Sequence, residues 1–301
     1  MSAPAAAPPS VSKTQTFFRR SFSTLLLWGI VGLAFGSMKP WAHLLLISAL
    51  GILSTAEFFK LTRRAGIVAN PLWGMFLSIA YYAALAWYMI RGQAVPAELD
   101  MALFFLLGAG TFTLQLRRKI DGTNSILGVT STMLGVLWLT WMFSFTARLD
   151  FHPHQDGSLS GAYLLLWCIA VTKFTDMGAY ITGSLIGKHK MIPHISPAKT
   201  WEGFGGALVF SQIAACGLYA LFPKQLFFFQ HWGHVAFLGV LLAVLAVIGD
   251  LAESVVKRAL DAKDSGKMLP GIGGSLDLID SICFTAPALY FYLKWVLLPH
   301  A

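Results

Sequence analysis

Apolar residues run along this chain in long blocks separated by short polar connections. A helix needs ~20 residues to cross the hydrocarbon core of a bilayer, and measured against that length the blocks predict nine spans. They fall at residues 22–37, 41–59, 72–90, 101–116, 125–147, 161–185, 203–222, 233–252 and 277–297. Several contain Gly or Pro, which membrane helices tolerate better than soluble ones. Residues 1–16, rich in Ala, Pro and Ser, hold too little apolar surface to offset the entropy of ordering and predict a disordered tail. The first block follows Arg19 and Arg20 and leads almost directly into the second, with no clear small-residue cleavage site. It is therefore expected to be a retained span rather than a signal peptide. No fixed-period repeat is apparent. The expected fold class is all-α, a polytopic membrane bundle of about nine transmembrane helices.

Composition supports this reading, since 56% of residues are apolar and only 12% charged, against about 25% charged in soluble domains. The net charge is +8, from 22 Lys and Arg against 14 Asp and Glu. In a lipid-embedded chain such an excess reports topology, and no nucleic-acid partner is expected. With the N-terminus inside, the predicted cytoplasmic segments hold 16 cations, in clusters such as Lys60, Arg63, Arg64 and Arg117, Arg118, Lys119. The other side holds five, Lys39, Arg91, Arg148, Lys224 and Lys294, and Lys173 lies within the sixth span. Every cytoplasmic loop is richer than its neighbours, which predicts an N-in, C-out arrangement. Cys168, Cys216 and Cys283 each sit in an apolar run without a second ligand nearby, so neither disulfides nor structural zinc are expected.

Ionisable residues at membrane depth cost ~2.5 to 3.5 kcal/mol on insertion scales, and each needs a partner, a cavity or the interface. Here they cluster. Counted from Ala162, Asp176 lies ~21 Å along the sixth span, and counted from Val235, Asp250 lies ~22 Å along the eighth. Both reach the same level in the cytoplasmic half. Asp277 and Asp280 share one face at the start of the ninth span. Lys173, Asp176 and Tyr180 form a polar face at helical spacing, as do Asp250, Ser254 and Lys257; for Lys173 with Asp176, plain ion pairing within the bundle is an equal alternative.

Between Asp250 and Asp277 the chain carries Lys257, Arg258, Lys263 and Lys267, then a glycine cluster at Gly271, Gly273 and Gly274. Phosphate oxygens need cations and backbone N–H donors, and carboxylates hold the Mg²⁺ that bridges phosphates. The segment therefore suits a metal-bound polyphosphate, with Ser275 the expected N-cap of the ninth helix. A second segment, Ser196-Pro197-Ala198-Lys199-Thr200-Trp201-Glu202-Gly203, reads as a helix start with Ser196 as N-cap and Pro197 at the first helical position. Lys199 would add a phosphate-binding cation at the same face. His152, His154 and Asp156 form a loose loop patch on the opposite side, and His189 and His194 lie among loop cations. Trp41, Trp201, Trp232 and Trp295 are expected interface anchors.

At these residues the chain resembles the phosphatidate cytidylyltransferases, or CDP-diacylglycerol synthases. Their C-terminal signature is matched by Ser254, Lys257, Arg258, Lys263, Asp264, Pro270, Gly271, Gly273, Gly274, Asp277 and Asp280. Ile272 stands where the signature has His, and Leu278 where it has Arg. The blocks Asp176-Met177-Gly178-Ala179-Tyr180 and Ser196–Gly203 also look like conserved blocks of that family, and the resemblance covers roughly residues 165–290.

The resemblance implies that CTP and phosphatidic acid react to CDP-diacylglycerol and pyrophosphate, with Mg²⁺ and possibly a second cation, in a homodimer within the membrane lipids. The expected catalytic set is Ser254, Lys257, Arg258, Lys263, Asp264 and Lys199. Gly271, Gly273, Gly274 and Asp176 are expected to contact the cofactor, and Asp250, Asp277 and Asp280 the metal. The chain then divides into a cytoplasmic tail (1–20), N-terminal spans (21–160) and a C-terminal catalytic region (161–301), in a bacterial inner membrane with the site facing the cytoplasm. Two rivals are a CTP-dependent polyprenol or phytol kinase and a cation-coupled transporter using Asp176, Asp250 and Lys173.

Overall fold

The computed structural model describes residues 39–151, 160–262, 264–266 and 273–298, together with the isolated residues 29, 32, 33 and 36. Among the described residues, eight helices are long and apolar enough to cross a membrane. They are α1 (Trp41–Arg64), α2 (Pro71–Ile90), α3 (Ala97–Leu116), α4 (Gly122–Asp150), α5 (Gly161–Ile186), α6 (Trp201–Leu221), α7 (Trp232–Ala259) and α8 (Leu276–Leu297). These eight correspond one to one with the second to ninth predicted spans. The tail, most of the first predicted span and the His152, His154, Asp156 patch lie outside the described residues.

Three helix ends pass the predicted spans by four residues or more for the same reason, α1 running on through Lys60 and Arg63 to Arg64. α3 begins at Ala97, with Glu98 and Asp100 in its first turn, where acidic groups favour the positive end of the helix dipole. α7 continues through Glu253, Lys257 and Arg258 to Ala259. Hydropathy stops at the first charges, but the backbone ladder does not.

In the first half, α1 to α4 pack around Phe58, Phe59, Tyr81, Tyr82, Trp138 and Leu139, all buried. Within α4, Leu137–Met142 is a π-helical segment, in which the backbone ladder shifts from i→i+4 to i→i+5. Tyr82 OH donates to the Thr140 carbonyl at 3.2 Å, and the Thr140 hydroxyl meets Ser78 Oγ at 2.6 Å and Thr55 Oγ1 at 3.2 Å. Away from this layer, Arg148 Nη2 pairs with Asp100 Oδ1 at 2.7 Å and donates to Tyr81 OH at 3.0 Å. His43 Nδ1 lies 2.8 Å from Asp150 Oδ2.

In the second half, α5 and α6 run unusually close. A Cβ on Gly178 would lie 2.6 Å from the Gly206 carbonyl oxygen, so only a small residue permits this approach. Their connection forms an antiparallel hairpin of β1 (Lys190–Ile192) and β2 (Ser196–Thr200), with Lys190 opposite Thr200 and Ile192 opposite Ser196. This corrects the expected helix start: Ser196 and Pro197 lie in a strand, where Pro is tolerated at an edge. Thr200 is the actual cap, its Oγ1 accepting from Gly203 N at 3.1 Å.

α8 is the most buried of the eight spans and packs against α1, α4, α5 and α7. It consists of Leu276–Ile279, a turn at Asp280 and Ser281, Ile282–Tyr292 and a π-helical end at Leu293–Leu297. Ser275 does not cap it. Its backbone is already helical at φ −64° and ψ −30° with no side-chain cap bond, and its hydroxyl donates instead to Glu57 Oε2 of α1 at 2.9 Å.

Candidate active site

The predicted polar residues converge at one end of the bundle, where α5 and α7 finish and α6 and α8 begin. A cavity of about 480 Å³ opens between α5, the hairpin, α6 and α7, within the ~300–1,000 Å³ range of small-molecule sites. Asp176, Tyr180, Lys190, Ser196, Lys199 and Asp250 are among its lining residues. The hairpin carries Lys199 over α7, so that its Nζ sits 2.9 Å from Asp250 Oδ2 and 3.3 Å from the Val247 carbonyl. Glu202, in the first turn of α6, ties down the same open end of the hairpin: its carboxylate accepts from Lys188 N at 3.1 Å and lies 2.6 Å from His189 Nδ1. On α5, Lys173 Nζ approaches Asp176 Oδ2 at 3.6 Å.

Beside the cavity lies a second group centred on Lys257. Its Nζ bridges Glu253 Oε2 at 2.7 Å and Asp277 Oδ1 at 3.0 Å. The other Asp277 oxygen, Oδ2, accepts from Ser265 Oγ at 2.7 Å and from Gly274 N at 2.7 Å. Gly273 makes this possible, because its φ of +125° is open to glycine and a Cβ there would run into Asp277 Oδ2.

Asp250, Glu253 and Asp280 each offer one ligand atom, all within 4.8 Å of one another. Glu253 and Asp280 are 3% and 5% exposed, and Glu253 Oε1 is buried with no hydrogen-bond partner. A buried carboxylate oxygen without a donor is costly unless something positive faces it. The wider site sets five carboxylates, Asp176, Asp250, Glu253, Asp277 and Asp280, against the ammoniums of Lys173, Lys199 and Lys257. This donor set fits a hard, oxygen-liganded cation such as Mg²⁺.

The structure thus brings together most of the predicted residues, but with altered pairings. Asp250 and Asp280 sit with Glu253, whereas Asp277 faces Lys257, Ser265 and the Gly274 amide. Ser254 is half-buried one turn beyond Asp250 on α7, and Asp264 is exposed. Arg258 reaches across to the hairpin, its Nε 3.5 Å from the Ile195 carbonyl. Gly274 is buried against Asp277, while Lys263, Lys267, Gly271 and Ile272 lie outside the described residues. Leu278, at the position where the resembling signature has Arg, packs against the apolar core.

Sequence reasoning passed over Glu253 and Glu57. Glu253 stands three residues after Asp250 and four before Lys257, on the polar face already recognised. Glu57 lies inside an apolar block, where any ionisable group signals a buried partner.

Fold and site together define a polytopic helical membrane protein whose polar pocket, set at one end of the bundle, combines clustered carboxylates with lysine ammoniums. Comparison with known proteins makes this specific. The sequence model described as the cytidylyltransferase family matches residues 18–296, and the chain belongs to that family. A phosphatidate cytidylyltransferase of Staphylococcus haemolyticus is 42% identical over 261 residues, covering 85% of this chain and 90% of that protein. One from Bacillus subtilis is 30% identical over 251 residues, covering 83% and 87%. One from Mycobacterium bovis is 38% identical over 171 residues, or 56% of this chain, and the match spans about half of that protein's length, 52%.

Proposed function

We propose that the protein is a phosphatidate cytidylyltransferase, transferring the cytidylyl group of CTP to phosphatidic acid. A phosphate oxygen of the lipid forms the new bond to the α-phosphorus of CTP, the bond from that phosphorus to the α–β bridging oxygen breaks, and pyrophosphate leaves with the electron pair. The nucleophile is already an anion, so no base is needed, and the protein's task is alignment and neutralisation of charge. The observation that carries this reading is the convergence of Lys199, Asp250, Glu253, Lys257, Asp277 and Asp280 from the hairpin, α7 and α8 in a chain that belongs to the cytidylyltransferase family.

Lys199 and Lys257 would meet phosphate oxygens once their carboxylate partners are drawn to a cation. Asp250, Glu253 and Asp280 would hold Mg²⁺, which supplies positive charge to the polyphosphate when bound. Lys190 and Arg258 edge the site as further cations. Since α5 and α7 belong to the bilayer while the hairpin lies beyond it, a lipid phosphate enters from the membrane side and a nucleotide from the loop side.

The same end of the bundle gathers Lys60, Arg63 and Arg64 of α1 and Arg117, Arg118 and Lys119 after α3. Arg118 Nη1 bonds to the Val68 carbonyl between α1 and α2 at 2.9 Å. This supports a cytoplasmic site in a bacterial inner membrane. A single cysteine at position 190 should then resist an impermeant thiol reagent in intact cells, while one at position 91 labels. The reverse pattern would overturn the orientation.

The deciding experiment supplies purified protein with Mg²⁺, phosphatidic acid and CTP labelled at either phosphorus. Label from the α position should enter the lipid fraction only when phosphatidic acid is present, with pyrophosphate released. Transfer of γ label to a long-chain alcohol would show a lipid kinase instead.

A further inference from the structure

The residues that carry the proposed chemistry lie in the second half of the chain, yet one carboxylate from the first half sits directly beneath them. Glu57, two turns before the end of α1, is 8% exposed. Its Oε2 accepts from Ser275 Oγ at 2.9 Å and from Leu276 N at 3.1 Å. Two glycines face the same group. A Cβ on Gly274 would collide with Glu57 Oε2 and Ser265 Oγ, and one on Gly266 with Glu57 Oε1. Residues 264–266 and 273–276 therefore meet at a single carboxylate, separated from Ser275 by 218 positions in sequence.

The segment held in this way supplies three contacts to the site. Ser265 Oγ and Gly274 N donate to Asp277 Oδ2, and Asp277 Oδ1 meets Lys257. Ser275 and Leu276 immediately precede Asp277 and turn the chain into α8. Without Glu57, the buried Ser275 hydroxyl and Leu276 amide lose their acceptor. The glycines at 266 and 274 would face a void, and nothing on the α1 side would fix the height of the Gly274 amide relative to Asp277.

We propose that Glu57 is a positioning residue for the cytidylyltransferase site: from α1 it holds residues 264–266 and 273–276, which lie between α7 and α8, and so sets the Lys257–Asp277–Ser265 arrangement that receives the nucleotide phosphates. The inference rests on the functional reading above and adds to it the part that the first half of the chain plays. Hydrogen bonds to a carboxylate are among the stronger ones, and displacements near 1 Å at a reacting centre cost up to about 100-fold in rate.

The test compares Glu57→Ala, Glu57→Gln and Ser275→Ala in the purified full chain, by steady-state kinetics and by the rise in melting temperature on adding Mg²⁺ and CTP. Both bonds go to one oxygen, so the carbonyl of Gln can accept both, and Glu57→Gln should stay within about threefold of wild type in KM for CTP. Glu57→Ala should raise KM for CTP about tenfold and lower kcat, leave KM for phosphatidic acid within about twofold, and blunt the nucleotide-induced shift. Ser275→Ala should move KM for CTP in the same direction by less, and its effect should vanish in the Glu57→Ala background.

An unchanged KM for CTP and an unchanged nucleotide-induced shift in Glu57→Ala would overturn the inference, since a merely structural residue costs folded protein without altering what remains. If Glu57→Ala does not fold, Ser275→Ala decides in the same way. A wild-type protein that neither forms CDP-diacylglycerol nor responds to CTP would overturn the functional reading instead, a result distinct from an active wild type with an indifferent Glu57→Ala variant.

Discussion

Both halves of the molecule bury polar groups inside a membrane bundle, but they complete them differently. In α1 to α4, Asp100 and Asp150 are each matched by a basic side chain of a neighbouring helix: Asp100 has Arg148 together with Tyr81, and Asp150 has His43, although Asp150 Oδ1 and Arg148 Nε keep no hydrogen bond. In α5 to α8, five carboxylates crowd around the three ammoniums of Lys173, Lys199 and Lys257, and Glu253 Oε1 faces no hydrogen-bond donor. Burial of charge is costly in either place. In the first half acid and base match one to one, whereas in the second the carboxylates outnumber the ammoniums, an excess that a bound cation would offset. A cluster left incomplete in charge beside a cavity is the mark of function, and one complete in charge the mark of architecture.

The sharpest way to break this contrast is to remove charge from the incomplete cluster. Asp250→Asn should lower kcat at least about 100-fold, as loss of a preorganised electrostatic contact does, while the protein remains folded and monodisperse. Glu253→Gln should raise the Mg²⁺ concentration for half-maximal activity by about 10- to 100-fold. Pyrophosphate release across a Mg²⁺ titration measures both. Wild-type Mg²⁺ dependence in Glu253→Gln would mean that its unpaired oxygen is merely tolerated.

Those expectations show how far the sequence could be read. The spans were legible because a ~20-residue apolar ruler reports a real thickness, and Asp250, Asp277 and Lys257 were legible because charge at that depth needs a reason. The hairpin was not, since Ser196-Pro197 also satisfies the rules for a helix start and only the pairing of Lys190 with Thr200 selects the strand. Nor was the division of labour among the acids. Asp277 and Asp280 share a face, and the backbone keeps α-helical dihedrals through Asp280 and Ser281, but the packing of α8 against α7 brings Asp277 to Lys257 and Asp280 to Asp250 and Glu253, a choice that helical spacing does not report. Glu57 escaped because its partners lie more than 200 residues away, a distance no local pattern reports.

The complete cluster should respond in stability rather than catalysis. Arg148→Met keeps the length of the side chain but leaves Asp100 and Tyr81 without their cation. Breaking a buried pair from one side costs about 3 kcal/mol or somewhat more, at the lower end here because Asp100 retains 20% exposure. The melting temperature should fall clearly, with KM for CTP and for phosphatidic acid unchanged in the surviving protein. A changed KM with an unaltered melting temperature would place this cluster with the functional half.

The smallest effect is expected at the π-helical segment of α4. Thr140→Val preserves shape and removes the hydroxyl that meets Ser78 Oγ and Thr55 Oγ1. Interhelical hydrogen bonds inside membranes are worth about 0.6 kcal/mol on average. Two features keep the loss near that size for each bond. Ser78 Oγ also bonds to the Gly74 carbonyl at 2.9 Å and Thr55 Oγ1 to the Gly51 carbonyl at 2.9 Å, so neither hydroxyl is stranded when Thr140 goes. The Thr140 carbonyl still receives Tyr82 OH, because that bond uses the backbone. Thermal unfolding in detergent should therefore show a loss of about 1 kcal/mol with full activity, and a loss several times larger would mean that the hydroxyls act as a cooperative network on which the packing of α1, α2 and α4 depends.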